Sequence, residues 1–171
     1  MPLDMRGKGL DARGIGIVLA ANAVLAIILL PMVPKVVKSM RDETPLVMAG
    51  VLFAVGFGAN AFAGDMAGFL AAMVVWTLGE VLWAPMSMTY ITQRAPRGRV
   101  STYQGSYYFA WNAAFVIGGP VGVAVGHEAG FATLWMSVLV LGGAAALGFK
   151  VSTVGLGKSS LQVRLRIGTH L

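Results

Sequence analysis

Five long stretches of this chain carry almost no charge, and that pattern of gaps restricts the fold more than any motif does. The stretches run over 14–34, 44–64, 66–93, 100–126 and 129–149, and the third is interrupted by a single carboxylate, Glu80. All 13 Lys and Arg residues lie outside them. A helix that crosses a hydrocarbon layer about 30 Å thick needs about 20 consecutive apolar residues, because lipid offers its backbone no hydrogen-bond partner. No alternation of apolar and polar residues with period two competes with this pattern. The expectation is therefore an all-α membrane protein with five transmembrane helices, at about 14–34, 45–63, 67–92, 100–126 and 131–149.

Composition agrees. Hydrophobic residues make up 57% and charged residues 12% of the 171, whereas an average soluble domain carries about a quarter charged. The absence of cysteine rules out disulfides and thiolate metal sites, and two histidines near chain breaks or the tail leave little for a metal. No cofactor is expected. The net charge of +6 could suggest nucleic acid, but the basic residues follow membrane spans and the basic tail has no aromatic interleaving. A nucleic-acid partner is therefore not expected, while a lipid bilayer is.

The basic residues also give a sidedness. Lys35, Lys38 and Arg41 follow the first span, Arg94, Arg97 and Arg99 the third, and Lys150, Lys158, Arg164 and Arg166 the fifth. The links around Asp65 and around GHEAG at 126–130 contain no Lys or Arg. By the positive-inside rule the C-terminus is expected to be cytoplasmic, and the expected location is the plasma (inner) membrane. Residues 1–13, with Arg6, Lys8 and Arg13, then lie outside, although nothing in them resembles a signal peptide. A preceding helix would deliver that segment as an ordinary loop, so the chain reads as the C-terminal part of something larger. Residues 150–171 read as a flexible, basic cytoplasmic tail drawn to anionic lipid.

Glu80 falls almost at the midpoint of the third span, in WTLGEVLWAP at 76–85. An ionised group there costs roughly 2.5–3.5 kcal/mol on insertion scales, so it implies a use or a partner. Helical spacing puts Met73, Trp76, Trp83 and Ser87 on its face, so the carboxylate looks out between two indoles. Desolvation disfavours the charged form of a carboxylic acid, which makes proton carriage one reading. A permanently neutral side chain hydrogen-bonded to another helix is the other. Pro85 interrupts the backbone ladder just beyond.

Other spans carry fewer signals. Asn22 is the polar interior residue of the first and suits either interhelical packing or substrate contact; Pro31 and Pro34 should kink or stop that helix. In the second span Gly50, Ala54 and Gly58 form a small-residue stripe for close packing, and Asn60 near its outer end reads as solvated or capping. In the fourth, Gln104, Tyr108, Trp111, Asn112 and Phe115 form one stripe that could face a ligand or another helix. Gly118, Gly122 and Gly126, around Pro120, suggest a bent, tightly packed segment. Trp135 in the fifth span reads as an interfacial anchor. No carboxylate pair, His cluster or phosphate loop lies at membrane depth, so an enzyme is not expected.

Taken together, LAANAVLAIILLP at 19–31, LGEVLWAP at 78–85, RAPRGRVSTYQG at 94–105 and GGPVG at 118–122 resemble the C-terminal half of a major facilitator superfamily (MFS) transporter of the bacterial drug-efflux-like branch. The resemblance covers about residues 1–150 and aligns the five spans with helices 8 to 12 of the twelve-helix fold, with MPLDM at the outer end of the seventh. It implies two six-helix bundles rocking about a central site, a small-molecule substrate, and Glu80 on the tenth helix with Tyr108, Trp111 and Asn112 on the eleventh, bordering the cavity. The link KVVKSMRDETP lacks the glycine of the family's loop motif. The leading expectation is a proton-coupled secondary transporter, with Glu80 as coupling residue and Asn22, Trp76, Trp83, Tyr108, Trp111 and Asn112 lining the cavity. As a C-terminal fragment it would not transport alone, and the missing N-terminal bundle or a second copy would complete it. The alternative is a non-transporting membrane subunit that packs on a partner through its glycine stripes.

Overall fold

A computed structural model of the protein describes residues 1–41 and 43–168, with side chains described as far as Thr153. Among the described residues the regular structure is helical: α1 (Pro2–Gly7), α2 (Ala12–Leu29), a 3-10 turn (Leu30–Met32), α3 (Val33–Val37), α4 (Thr44–Ala59), α5 (Met66–Arg94), α6 (Val100–Glu128) and α7 (Phe131–Gly168). Four spans among the described residues are long and apolar enough to cross a membrane: Ala12–Val37, Met66–Arg94, Val100–Glu128 and Phe131–Thr153. The fifth, α4, has 16 residues and is about 24 Å long at 1.5 Å per residue.

Local chemistry sets the ends. Asp11 and Asp65 cap α2 and α5, each accepting from the backbone N–H three residues on, at Gly14 and Gly68. Of the two outcomes expected at Pro31 and Pro34, a kink or a stop, the span shows an interruption and not a stop: α2 ends at Leu29 and a 3-10 turn follows. Each sits in a first turn, of the 3-10 segment and of α3, where its missing N–H costs no bond, and the helix resumes to Val37. The second span ends earlier than expected because the Asn60 amide donates to the carbonyls of Gly56 and Phe57, and three-residue turns then carry the chain to Ala63. Asn60 is a cap and is fully buried, not solvated. Gly130, at φ +88°, turns α6 into α7 in a conformation that favours glycine. Beyond Lys150, where a flexible tail is expected, α7 stays helical to Gly168; residues 169–171 and the side chains beyond 153 lie outside the described residues.

Helix α4 is the centre of the bundle and packs on α5 and α7 through glycines. A Cβ on Gly56 would stand 2.4 Å from the Trp76 backbone nitrogen, and one on Gly79 would stand 3.0 Å from the Ala49 carbonyl oxygen. On the α7 side, Gly50 meets Ala146, Gly58 meets Leu139 and Gly142 meets Ala54, each with a notional Cβ at 2.8–3.1 Å. The second glycine stripe behaves differently. Gly126 packs on the Phe131 ring and Gly122 makes ordinary contact with Leu134, but Gly118 has nothing within 4 Å and Pro120 is exposed. Helix α6 touches α7 chiefly near their link, so that stripe is not a continuous packing face.

Helix α1 is pinned by a polar cluster at the same end of the bundle as the 60–65 link. The Trp135 indole donates to Asp4 Oδ2 at 2.7 Å, and the Lys8 ammonium lies 3.3 Å from Asp4 Oδ1 while donating to the Asn60 carbonyl oxygen at 3.1 Å. Trp135 is thus a buried hydrogen-bond donor, not an interfacial anchor. Beneath it, Met5, Val18, Ala63, Phe69 and Met73 form a buried apolar cluster, and a second comprises Val33, Ala49, Val81 and Leu82. The outer surface is the reverse of a soluble protein's: Ile27 is 73%, Phe109 77% and Leu141 69% exposed. Such a surface suits lipid as solvent.

Candidate functional site

At the middle of α5 a polar side chain from α2 meets two from α5. Asn22 presents its amide to both Thr77 Oγ1 and Glu80 Oε2, each at 2.9 Å. The two NH2 hydrogens of Asn22 suffice for both acceptors. The Thr77 hydroxyl, fully buried, donates to the Met73 carbonyl oxygen at 2.7 Å. Each polar group therefore has a partner inside an apolar span, which lowers the cost of placing it there. Thr77 and Glu80 share a face because they lie three residues apart on the helix.

Glu80 is half-buried and also borders a cavity of about 700 Å³. From α5, Trp76, Trp83 and Ala84 line it beside Glu80; from α4, Leu46, Gly50, Phe53 and Phe57; from α6, Trp111 and Phe115; and from α7, Gly142, Ala145, Ala146 and Phe149. Half of the lining residues are aromatic. Phe57 stacks on Trp76 with ring centroids 5.3 Å apart, and Trp83 stacks on Trp111 at 6.3 Å. Such faces offer a large apolar contact area and, with one carboxylate among them, a single polar handle for a guest.

The sequence-derived candidates divide into two groups. Glu80, Trp76, Trp83 and Trp111 come together at this cavity. Asn22 does not line it; its amide holds Glu80 from α2. Tyr108 and Asn112 do not meet Glu80 either: both are exposed, and the Asn112 amide donates back to the Tyr108 carbonyl oxygen on its own helix at 2.7 Å. The residue of α6 that faces α5 is their neighbour Tyr107, whose hydroxyl accepts from Trp83 Nε1 at 2.8 Å. Of the stripe read from the sequence, Trp111 and Phe115 line the cavity and Gln104 bonds Thr92 on α5, while Tyr108, about 100° round the helix from Tyr107, and Asn112 lie on its exposed side. Thr77, Phe53, Phe57 and Phe149 were also missed. Thr77 had a legible signal, since it stands one turn before Glu80; the phenylalanines are indistinguishable in sequence from lipid-facing ones.

Residues 1–162 match the family model described as Major Facilitator Superfamily. Among curated proteins, the chain is 34% identical over 122 residues to the "Uncharacterized MFS-type transporter YttB" of Bacillus subtilis (strain 168), an alignment covering 70% of this chain and 31% of that protein. The chain thus spans about a third of the length of the curated relative it matches. No solved structure matches it.

Proposed function

Because this chain belongs to the Major Facilitator Superfamily, with apolar spans that make it a multi-pass membrane protein, we propose that it forms part of a secondary active transporter of small apolar or amphipathic molecules, coupled to protons through Glu80. Its helices correspond to the C-terminal half of the transporter, in the drug-efflux-like branch, and a second bundle completes the pathway. The membrane is the bacterial inner membrane, with the Lys35–Arg41 and Arg94–Arg99 links and the C-terminus on the cytoplasmic side.

One observation carries this reading: Glu80 is at once hydrogen-bonded to Asn22 across two helices and on the wall of an aromatic-lined cavity. A carboxyl group so placed senses both the guest and the relative position of α2 and α5. Gain of a proton on one side of the membrane and loss on the other would bias the two arrangements of the bundles, since a group that binds a proton better in one state shifts the equilibrium toward it.

The test is Glu80→Gln in the full-length protein, reconstituted in proteoliposomes under an imposed pH gradient, with ethidium and Hoechst 33342 as probes. Glutamine keeps an acceptor for Asn22 but cannot titrate. Gradient-driven accumulation is expected to disappear while equilibrium probe binding stays within a few-fold of the parent protein. Accumulation that continues undiminished refutes the coupling role.

A further inference from the structure

Helix α6 forms one wall of the cavity, yet few contacts hold it. Gly126 is the buried residue of its 29, and it packs on Phe131 across the short link to α7. At the far end from that link, α6 meets α5 through side-chain hydrogen bonds. Trp83 Nε1 donates to the Tyr107 hydroxyl at 2.8 Å, that hydroxyl lies 3.4 Å from Ser87 Oγ, and the Gln104 amide donates to Thr92 Oγ1 at 3.1 Å. The Gln104 bond is exposed, whereas the Tyr107 node is partly buried, which makes the node the stronger tie. Around it, Tyr107 stacks on Trp111 at 6.1 Å and Trp111 on Trp83 at 6.3 Å.

Both indoles line the cavity, and Trp83 stands one helical turn from Glu80. From this arrangement we infer that Tyr107 is a positioning residue: its hydroxyl clasps α6 to α5 and so sets the distance between the Trp83 and Trp111–Phe115 walls that a guest must span. Tyr107 is not itself among the cavity-lining residues. Its effect on a guest passes through Trp83 and Trp111. Without the clasp, α6 keeps its attachment at the Gly130 link and its free end moves away from α5. The consequence for ligand binding rests on the transporter reading above; the placement of α6 does not.

These 171 residues contain no cysteine, so spin labels can be placed in them in the full-length protein once any cysteine elsewhere has been replaced by serine. Labels at Ser101→Cys on α6 and Val151→Cys on α7, both exposed and both far from the Gly130 link, report the splay of the two helices by pulsed dipolar spectroscopy in nanodiscs. Tyr107→Phe keeps the ring and its stacking and removes only the hydroxyl. A single narrow distance distribution is expected in the labelled parent, and a second, longer population in Tyr107→Phe. Trp83→Phe should reproduce that change, and the Trp83→Phe/Tyr107→Phe double variant should add nothing, since both remove the same bond. An unchanged distribution in Tyr107→Phe, or additive shifts in the double variant, overturns the clasp. For ethidium, the Kd should rise about fivefold in Tyr107→Phe, the equivalent of one ordinary hydrogen bond, with gradient dependence unchanged. If the parent binds no ethidium, the transporter reading loses its support and the distance measurement alone decides the clasp.

Discussion

Replacing Gly56 by alanine tests the contact that positions the Glu80 helix. The added Cβ would stand 2.4 Å from the Trp76 backbone nitrogen, 2.6 Å from its Cβ and 2.8 Å from its Cα. Ordinary contact begins near 3.4 Å, so α4 and α5 must separate by about 1 Å, and two of the three obstacles are backbone atoms that cannot rotate away. Overpacking of this kind costs about 1–3 kcal/mol, and a backbone obstacle points to the upper end. Alanine regains about 1 kcal/mol over glycine within a helix, which leaves a net loss of about 2 kcal/mol. For a chain of this size 1 kcal/mol corresponds to about 2–4 °C, so the melting temperature in detergent should fall by about 4–8 °C. The control is Gly118→Ala, where nothing lies within 4 Å; it keeps the helix-propensity gain and loses nothing, so its melting temperature should rise by about 2–4 °C. Melting by intrinsic tryptophan fluorescence reports both variants. Equal shifts in the two would refute the close α4–α5 packing, and with it the position given to Trp76 on the cavity wall.

Trp135→Phe should cost about 1.5–3 kcal/mol, because it removes a buried hydrogen bond to a carboxylate; in a double variant with Asp4→Asn the losses should be clearly less than additive, as thermal melting will show. Asn22→Leu should cost about 1–3 kcal/mol by leaving buried Thr77 and half-buried Glu80 without their shared donor, and a crosslink between α2 and α5 should form less efficiently. Gly130→Ala forces a side chain into the left-handed region at φ +88°, a strain of about 1–2 kcal/mol, and should lower the melting temperature even though no neighbour obstructs the new Cβ.

The spans were legible in the sequence because exclusion of charge from lipid acts on every residue of a segment and needs no knowledge of the neighbours. What depended on rotation about a helix axis was less so. The Gly50–Gly58 stripe could be read because glycine marks close approach whatever lies opposite. In the α6 stripe Trp111 and Phe115 do reach the cavity, but the choice of Tyr108 over Tyr107 could not be settled by sequence, because the two are chemically alike and only the position of Trp83 selects between them. Asn112 looked like a cavity residue from its depth alone, yet its amide found the carbonyl oxygen four residues back on its own helix, a competition no pattern of polar residues displays. Asp4 and Trp135, 131 positions apart, carried no shared signal. Pro31 and Pro34 mark the place where α2 gives way to a 3-10 turn, but whether the chain stops there or resumes as a helix could not be read, because a proline just after a break also serves as a helix starter.

The surroundings of Glu80 bear on whether its charge is meant to change. Among the described residues the ion pairs are Lys8 with Asp4 and Arg41 with Glu43, and neither involves Glu80. Its partner is a neutral amide that donates a hydrogen bond to one carboxyl oxygen. A cationic partner would favour the ionised form and resist protonation. An amide donor is compatible with either state, because the carboxyl keeps an acceptor oxygen for Asn22 and a proton can sit on the other. The orientation of the side chain therefore survives a change of charge, while the desolvation felt by the group changes with it. A purely structural link between α2 and α5 would be served as well by glutamine, which offers the same acceptor without the cost of an ionisable group at mid-membrane. Under the coupling role proposed above, a glutamate here can keep one carboxyl oxygen for Asn22 whether or not the other carries a proton, which is what the Glu80→Gln comparison isolates.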